Sequence, residues 1–344
     1  MKTAKDISIA LASERGSAEP PEGKVEGLHH VTAIAGEPQQ NINFYAGVLG
    51  LRLVKLTVNF DDPTTYHLYY GDGQGHPGTI LTFFPWPGAP RGRIGTGQLT
   101  VTSFAVPDNS LPYWRERLTK QRIEFENARS DFGEELLFLR DPDGLQLELI
   151  STPNAAADRV WEHGPVPLEH AIRGFHHVTL SENGYELTAS LLTETLGFEQ
   201  IEKHGNRFRY SVGNGTPSTI VDLVCAPEGR PGRVAVGTVH HVAWRTATDD
   251  QQARWRDTLL QREYDVTPII DRQYFHSIYF REPGGVLFEI ATDPPGFATD
   301  EPVERLGTSL KLPPWLEEAR PELERLLPPV VLPPVDGGQA DEAA

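Results

Sequence analysis

Glu26-Gly27-Leu28-His29-His30-Val31-Thr32 returns 147 residues later as Arg173-Gly174-Phe175-His176-His177-Val178-Thr179. Leu49-Gly50-Leu51 returns at the same offset as Leu196-Gly197-Phe198. A second landmark, Leu139-Arg140-Asp141-Pro142-Asp143-Gly144 running on to Glu148, returns 141 residues later as Phe280-Arg281-Glu282-Pro283-Gly284-Gly285 running on to Glu289. Self-similarity on this scale means two homologous halves, the second six residues shorter between the landmarks. A third His-His-Val, in Thr238-Val239-His240-His241-Val242, opens a further unit as His29-His30-Val31 opens the first. Four modules result, roughly 25–90, 95–153, 170–226 and 236–293.

Each module reads as a strand, a helix and further strands. The β-branched HHVT segments have strand character. Asn41 to Leu49 and Gly184 to Leu196 carry helical spacing before a Leu-Gly stop. Asp-Pro-Asp-Gly and Glu-Pro-Gly-Gly supply turns between strands. The expected fold class is therefore α+β: four βαβββ modules in two tandem homologous halves, with paired sheets expected to form half-open barrels around a pocket. The expected organisation is a tail at 1–24, an N-terminal two-module domain at 25–153 and a linker at 154–169. A C-terminal two-module domain at 170–295 and an extension at 296–344 complete it. Within the extension, Pro313 to Leu327 reads as a short amphipathic helix docked on the body, and 328–344 as a loose tail.

Bulk properties narrow the function. The 344 residues suit about two domains. The formal net charge is -17, so the chain lacks the excess of basic charge that phosphates and anionic membranes call for. Nucleic-acid and membrane partners are not expected, and a homo-oligomer is open. One cysteine, Cys225, allows no internal disulfide and fits a reducing compartment. No stretch approaches the ~20 apolar residues of a membrane span, and the N-terminus does not read as a signal peptide. The expected location is cytoplasmic.

Twelve histidines are present, and six of them fall in the three His-His-Val motifs. Neighbouring strand residues face opposite ways, so one histidine of each pair is expected to enter a cavity. Glu289 lies in the apolar run Gly-Gly-Val-Leu-Phe-Glu-Ile-Ala, where an ionised carboxylate is costly without a cation. Two imidazoles and a carboxylate on one face of a metal leave coordination positions open, as in non-haem Fe(II) oxygenases. Taken singly, any one of these histidines reads more readily as a packed core residue. His177 is the internal counterpart of His30, and Glu148 of Glu289. Module two begins Gln98-Leu99-Thr100-Val101-Thr102 without histidine, so a cavity on His177 and Glu148 lacks a ligand and reads as a decayed duplicate. The residues alone leave open whether His30 or His177 joins His241 and Glu289.

The chain resembles the vicinal-oxygen-chelate (glyoxalase/bleomycin resistance/extradiol dioxygenase) superfamily. It is most similar there to the hydroquinone-type ring-cleaving dioxygenases, of which 2,6-dichlorohydroquinone 1,2-dioxygenase is one. The segments that carry this are GLHHVTAIAG, NFYAGVLGLRLVKLTVNFDDPTTYHLYYGD, GTVHHVAWRT and DRQYFHSIYFREPGGVLFEIATD, within about residues 25–295. The resemblance implies metal ligation by His30, His241 and Glu289, and roles around the metal for His29, Thr32, His240, Arg272 and Tyr279. It implies Fe(II), with Mn(II) an acceptable substitute, a small aromatic diol and O2 as substrates, and ring cleavage. Rival readings are a metal-dependent glyoxalase-type isomerase or thiol transferase, and a non-enzymatic binding protein. Arg272 and Tyr279 have a bland reading as rim residues, yet a guanidinium and a phenol could stabilise a bound phenolate. His67 and His276 are expected to be core or pocket lining; His76, His163, His170 and His204 solvated; and Arg91-Gly92-Arg93 a solvated loop or a pocket mouth.

Overall fold

The computed structural model describes residues 23–333. Module one runs β1 (Leu28–Ala35), α1 (Pro38–Ile42) continuing as a π-helical turn (Asn43–Val48), β2 (Arg52–Asn59), β3 (Asp62–Gly71) and β4 (Ile80–Pro85). Module two runs β5 (Gln98–Pro107), α2 (Leu111–Lys120), β6 (Phe125–Arg129), β7 (Glu135–Arg140) and β8 (Gln146–Thr152). Module three runs β9 (Phe175–Glu182), α3 (Glu186–Ser190) with its π-helical turn (Leu191–Thr195), β10 (Glu199–His204), β11 (Arg207–Ser211) and β12 (Ile220–Cys225). Module four runs β13 (Thr238–Thr246), α4 (Asp249–Gln261), β14 (Ile270–Asp271), β15 (Phe275–Arg281) and β16 (Leu287–Pro295). The βαβββ order read from the repeats holds in all four.

The local signals act as expected. The Leu-Gly stops place Gly50 and Gly197 at φ of 71° and 81°, the left-handed conformation that ends a helix most cheaply at glycine. Gly144 and Gly285 turn β7 into β8 and β15 into β16, again with positive φ. Thr248 caps α4 by accepting the Gln251 amide.

Hydrogen bonding groups the modules across the halves. One eight-stranded sheet has the order β14-β15-β16-β13-β1-β4-β3-β2, joining module four to module one, and curls into a half-barrel. The other has the order β10-β11-β12-β9-β5-β8-β7-β6, joining module three to module two. The seams are the antiparallel pairs β1·β13 and β5·β9. The segments crossing between sheets pair with each other: Arg93 and Arg233 exchange backbone bonds of 3.0 and 2.8 Å. Arg91-Gly92-Arg93 therefore belongs to this crossing and does not line the cavity described below. Helices cover the outer faces, with Trp114 and Leu118 of α2 and Trp255 and Leu259 of α4 buried.

The segment expected as a linker is strapped to module one. Trp161 and Val166 are buried, and Arg159 Nη1 donates to the Pro77 carbonyl at 2.6 Å. In the C-terminal extension, the expected helix is a 3-10 turn (Pro314–Ala319) followed by α5 (Arg320–Leu326), with Leu323 and Leu327 buried. Lys55, fully buried, anchors this region through the Phe297 carbonyl at 3.0 Å and Asp300 at 2.6 Å. The tail expectation needs correcting where it can be checked. Val331 exchanges bonds of 2.6 and 3.2 Å with the Gln39 side chain, so 328–333 is docked. Residues 1–22 and 334–344 of the expected tails lie outside the described residues. Among the described residues no helix is long and apolar enough to cross a membrane.

Candidate metal centre

Strand β1 is buried along its whole length, and two β-bulges shape its seam with β13. Leu28 faces Trp244 and His30 faces Ala243, leaving His29 as the extra residue. Thr32 faces His241 and Ala33 faces Val239, leaving His240 as the extra residue. A bulge breaks strict alternation and re-aims side chains. On β13 both His240 and His241 line the cavity, which corrects the alternation argument there, whereas on β1 only His30 does. His29 and His30 bring their Nδ1 atoms to 2.9 Å, and His240 and His241 bring theirs to 2.7 Å.

The structure draws His30, His241 and Glu289 into one group. His30 Nε2 and His241 Nε2 lie 3.2 Å apart. Glu289 Oε2 lies 3.2 Å from the first and 3.0 Å from the second. Three ligands at about 2.1 Å on one face of an octahedron are about 3.0 Å apart, so the triangle has the right size for a divalent ion. All three side chains are buried.

Glu289 itself tests the fit. Its Oε1 accepts the Ser277 hydroxyl at 2.5 Å, while its buried Oε2 has no partner of hydrogen-bonding geometry despite the nearby imidazoles. Burial alone would push the carboxyl up, but His30 and His241 outweigh it and hold it well below the usual carboxylate range. Burial also pushes His241 below its ordinary value, against the pull of Glu289. A buried carboxylate oxygen facing two imidazole nitrogens without a hydrogen bond is a place where a cation would supply the missing partner.

The remaining residues named from the sequence divide into two sets. His240, Arg272 and Tyr279 line the cavity onto which His30 and His241 open. Arg272 Nε donates to Tyr279 Oη at 3.2 Å and its Nη1 to Asp61 at 3.0 Å. Burial raises the Tyr279 phenol, with Glu289 adding to the effect. His29 and Thr32 sit behind the cavity wall. His29 Nε2 lies 3.1 Å from the Thr292 carbonyl, and burial, with His30, lowers its value to about 3. Thr32 Oγ1 pairs with Thr82 Oγ1 at 2.9 Å.

The cavity has a volume of about 300 Å³, walled by Phe60, Tyr69, Phe84, Trp86 and Phe275. A dry cavity of about 150 Å³ accepts benzene, so a substituted ring fits with room for a diatomic molecule. Ser277 and Phe275 were not singled out from the sequence, although Ser277 and Tyr279 alternate on β15 and so share a face. His67 lines the cavity. His276 does not; its Nδ1 meets Asp249 at 2.6 Å. His170 is stacked on Tyr113 at 4.4 Å instead of standing in solvent.

The other sheet repeats these positions with different residues. His177 faces Ser103 and Thr179 faces Val101, so Val101 occupies the place of His241. Thr179 faces Asp222 as Thr32 faces Thr82, and Arg209 faces Asp222 as Tyr69 faces Thr82. Arg209 donates to Asp222 at 2.7 Å and to Glu134 at 2.6 Å. A guanidinium thus supplies the positive charge there, and among the described residues only the His30 group gathers three ligands.

Comparison with known proteins places the chain in a family. The family described as the Glyoxalase/Bleomycin resistance protein/Dioxygenase superfamily matches residues 27–149 and 174–290. The chain belongs to this superfamily. Among its members, MhqO of Bacillus subtilis (strain 168), provisionally named a ring-cleaving dioxygenase, is 48% identical over 89% of this chain and 97% of its own length. The chlorohydroquinone/hydroquinone 1,2-dioxygenase of Sphingobium indicum is 37% identical over 90% of this chain and 98% of its own. A superfamily crystal structure from Bacillus subtilis, provisionally named a dioxygenase, superposes with a TM-score of 0.85 at 47% identity, covering 90% of this chain and 99% of that one.

Proposed function

We propose that the chain is an Fe(II)-dependent ring-cleaving dioxygenase acting on a hydroquinone or catechol, with His30, His241 and Glu289 as the metal ligands. The observation that carries this is the buried triangle of ligand atoms with sides of 3.0 to 3.2 Å opening onto an aromatic cavity. Mn(II) accepts the same ligand set. Iron bound there supplies open coordination positions and the redox chemistry that joins a diol to O2.

The chain's own residues prepare that site. A carbonyl only accepts, so His29 carries its proton on Nε2 toward Thr292 and presents the lone pair of Nδ1. His30 then donates from Nδ1 and leaves Nε2 free for the metal. The same logic applies to His241: with Nε2 turned to the triangle, its Nδ1 donates to His240. Burial lowers His240 to about 3, so this ring is neutral and carries its proton on Nε2. A cavity-lining imidazole with that proton is placed to exchange it with bound substrate. The Arg272 guanidinium favours a phenolate form of the diol. Phe60, Phe84, Trp86 and Phe275 exclude water and hold the ring.

The test is anaerobic reconstitution with Fe(II), followed by O2 uptake with a panel of hydroquinones and catechols. Bound iron with no uptake for any member would end this reading.

A further inference from the structure

His67 is a cavity-lining titratable group that the machinery above does not use. It stands on β3, two strands from β1 in the order β1-β4-β3. The register sets it level with Ile34, four residues along β1 from His30, so at about 4.8 Å per strand and about 3.3 Å per residue its backbone lies roughly 16 Å from that of His30 in a flat sheet. Its ring is clamped between Tyr69, at 3.9 Å between centroids, and Phe84, at 4.3 Å. Its Nε2 is bonded to Thr82 Oγ1 at 2.8 Å, and that hydroxyl meets Thr32 Oγ1 at 2.9 Å. These contacts fix the ring. Its Nδ1 makes no hydrogen bond among the described residues.

The internal repeat sharpens the point. The registers that equate Thr32 with Thr179, Thr82 with Asp222 and Tyr69 with Arg209 equate His67 with Arg207. In the other copy Arg207 donates to Asp222 at 3.1 Å and to Thr179 at 3.3 Å, tying the three positions together. The open copy has a neutral, rigidly held imidazole with one unspent nitrogen beside the cavity. A ring nitrogen with no protein partner on a cavity-lining residue has hydrogen-bonding capacity that a ligand's hydroxyl can take up.

We propose that His67 Nδ1 anchors the substrate hydroxyl remote from the metal triad, and thereby selects 1,4-diols over 1,2-diols. A 1,2-diol has both oxygens on one side of the ring, beside His30, His241 and Glu289. A 1,4-diol sends its second oxygen across the cavity toward β3. The proposal rests on the ring-cleavage reading and adds a residue that sets its specificity.

Three variants separate a hydrogen bond from mere packing. His67→Phe keeps the aromatic clamp and removes both nitrogens. His67→Asn places an amide near the position of Nδ1, and His67→Gln places one near that of Nε2. Each is loaded with Fe(II) and titrated without O2, by calorimetry, with 1,4-benzenediol and with 1,2-benzenediol; metal content and melting temperature are measured in parallel. His67→Phe and His67→Gln should weaken 1,4-benzenediol binding about tenfold, the worth of one neutral hydrogen bond, and leave 1,2-benzenediol within about twofold. His67→Asn should recover most of the loss. Under turnover the defect should fall on KM for the 1,4-diol. Equal loss for both diols, no loss for either, or an Asn variant no better than Phe overturns the proposal. Failure of the unmutated, iron-loaded protein to bind either diol would instead remove the ring-cleavage reading, and this one with it.

Discussion

His29 Nδ1 lies 2.9 Å from His30 Nδ1, with the far side of the His29 ring held by the Thr292 carbonyl at 3.1 Å. This pair fixes which nitrogen of His30 is free. His29→Phe keeps the edge contact with Phe275 but removes the acceptor. Loss of such an outer partner costs about 10–100-fold in metal affinity. Competition with a chelator should register that drop while the fold is retained; affinity equal to the unmutated protein would show that the pair does not govern ligation.

The two His-His-Val sites should respond oppositely. His241→Ala removes one corner of the ligand triangle, and both iron retention and turnover should vanish. His177→Ala alters the copy in which Val101 stands in place of a ligand, and iron content with turnover per folded molecule should stay near the unmutated level. Metal analysis of both purified variants decides it: iron loss in the His177 variant would relocate the site.

Arg209 is buried between Asp222 and Glu134. Removing one partner from such a network leaves charge stranded in the interior, at roughly 3–5 kcal/mol. Arg209→Leu should lower stability by about that amount in denaturant titrations, with little change in the activity of molecules that remain folded. A loss under about 1 kcal/mol would mean the pairs behave like exposed ones.

Glu182 gives a pH dependence. It is fully buried at the end of β9, neither of its carboxyl oxygens has a hydrogen-bond partner, and it packs against Gly284 beside Glu282. Burial, reinforced by Glu282, pushes it up to about 8. Glu282 is raised as well, by burial, against bonds from Thr188 and backbone amides, so the pair retains a proton that the unfolded chain gives up above about pH 4.3. The native state therefore loses stability as pH rises from about 4.3 to about 8, and the penalty is constant above that. Glu182→Gln should raise the melting temperature by about 2–5 °C near pH 8.5 and by much less at pH 5. A pH-independent difference would contradict a shared proton.

Much of the site is legible in the amino-acid sequence. Glu289 in an apolar strand demands a cation, and the repeats supply histidines at equivalent positions. The missing histidine before Thr102 marks the second copy as short of a ligand. What stays hidden is register. Nothing in the letters His-His-Val reveals a bulge, so strand alternation argues against His240 sharing the cavity with His241, where the structure puts it. Bulges arise from how two strands meet, and β1 and β13 meet across more than two hundred residues. The clamping of His67 is hidden too, because Thr82 and Phe84 come to it from a neighbouring strand. The strap at 154–169 looks loose for a related reason: its holdfasts, Pro77 and Gly73, belong to module one.

The seam between β1 and β13 also has a consequence for biosynthesis. Two of the candidate ligands stand 211 residues apart, and the third comes later still. A nascent chain emerging from the ribosome carries His30 long before its partners exist. Until the last module is made, β1 has an unpaired edge of the sort that invites wrong partners. Ion capture then belongs to the end of synthesis, when the first strand laid down closes against the last quarter of the chain.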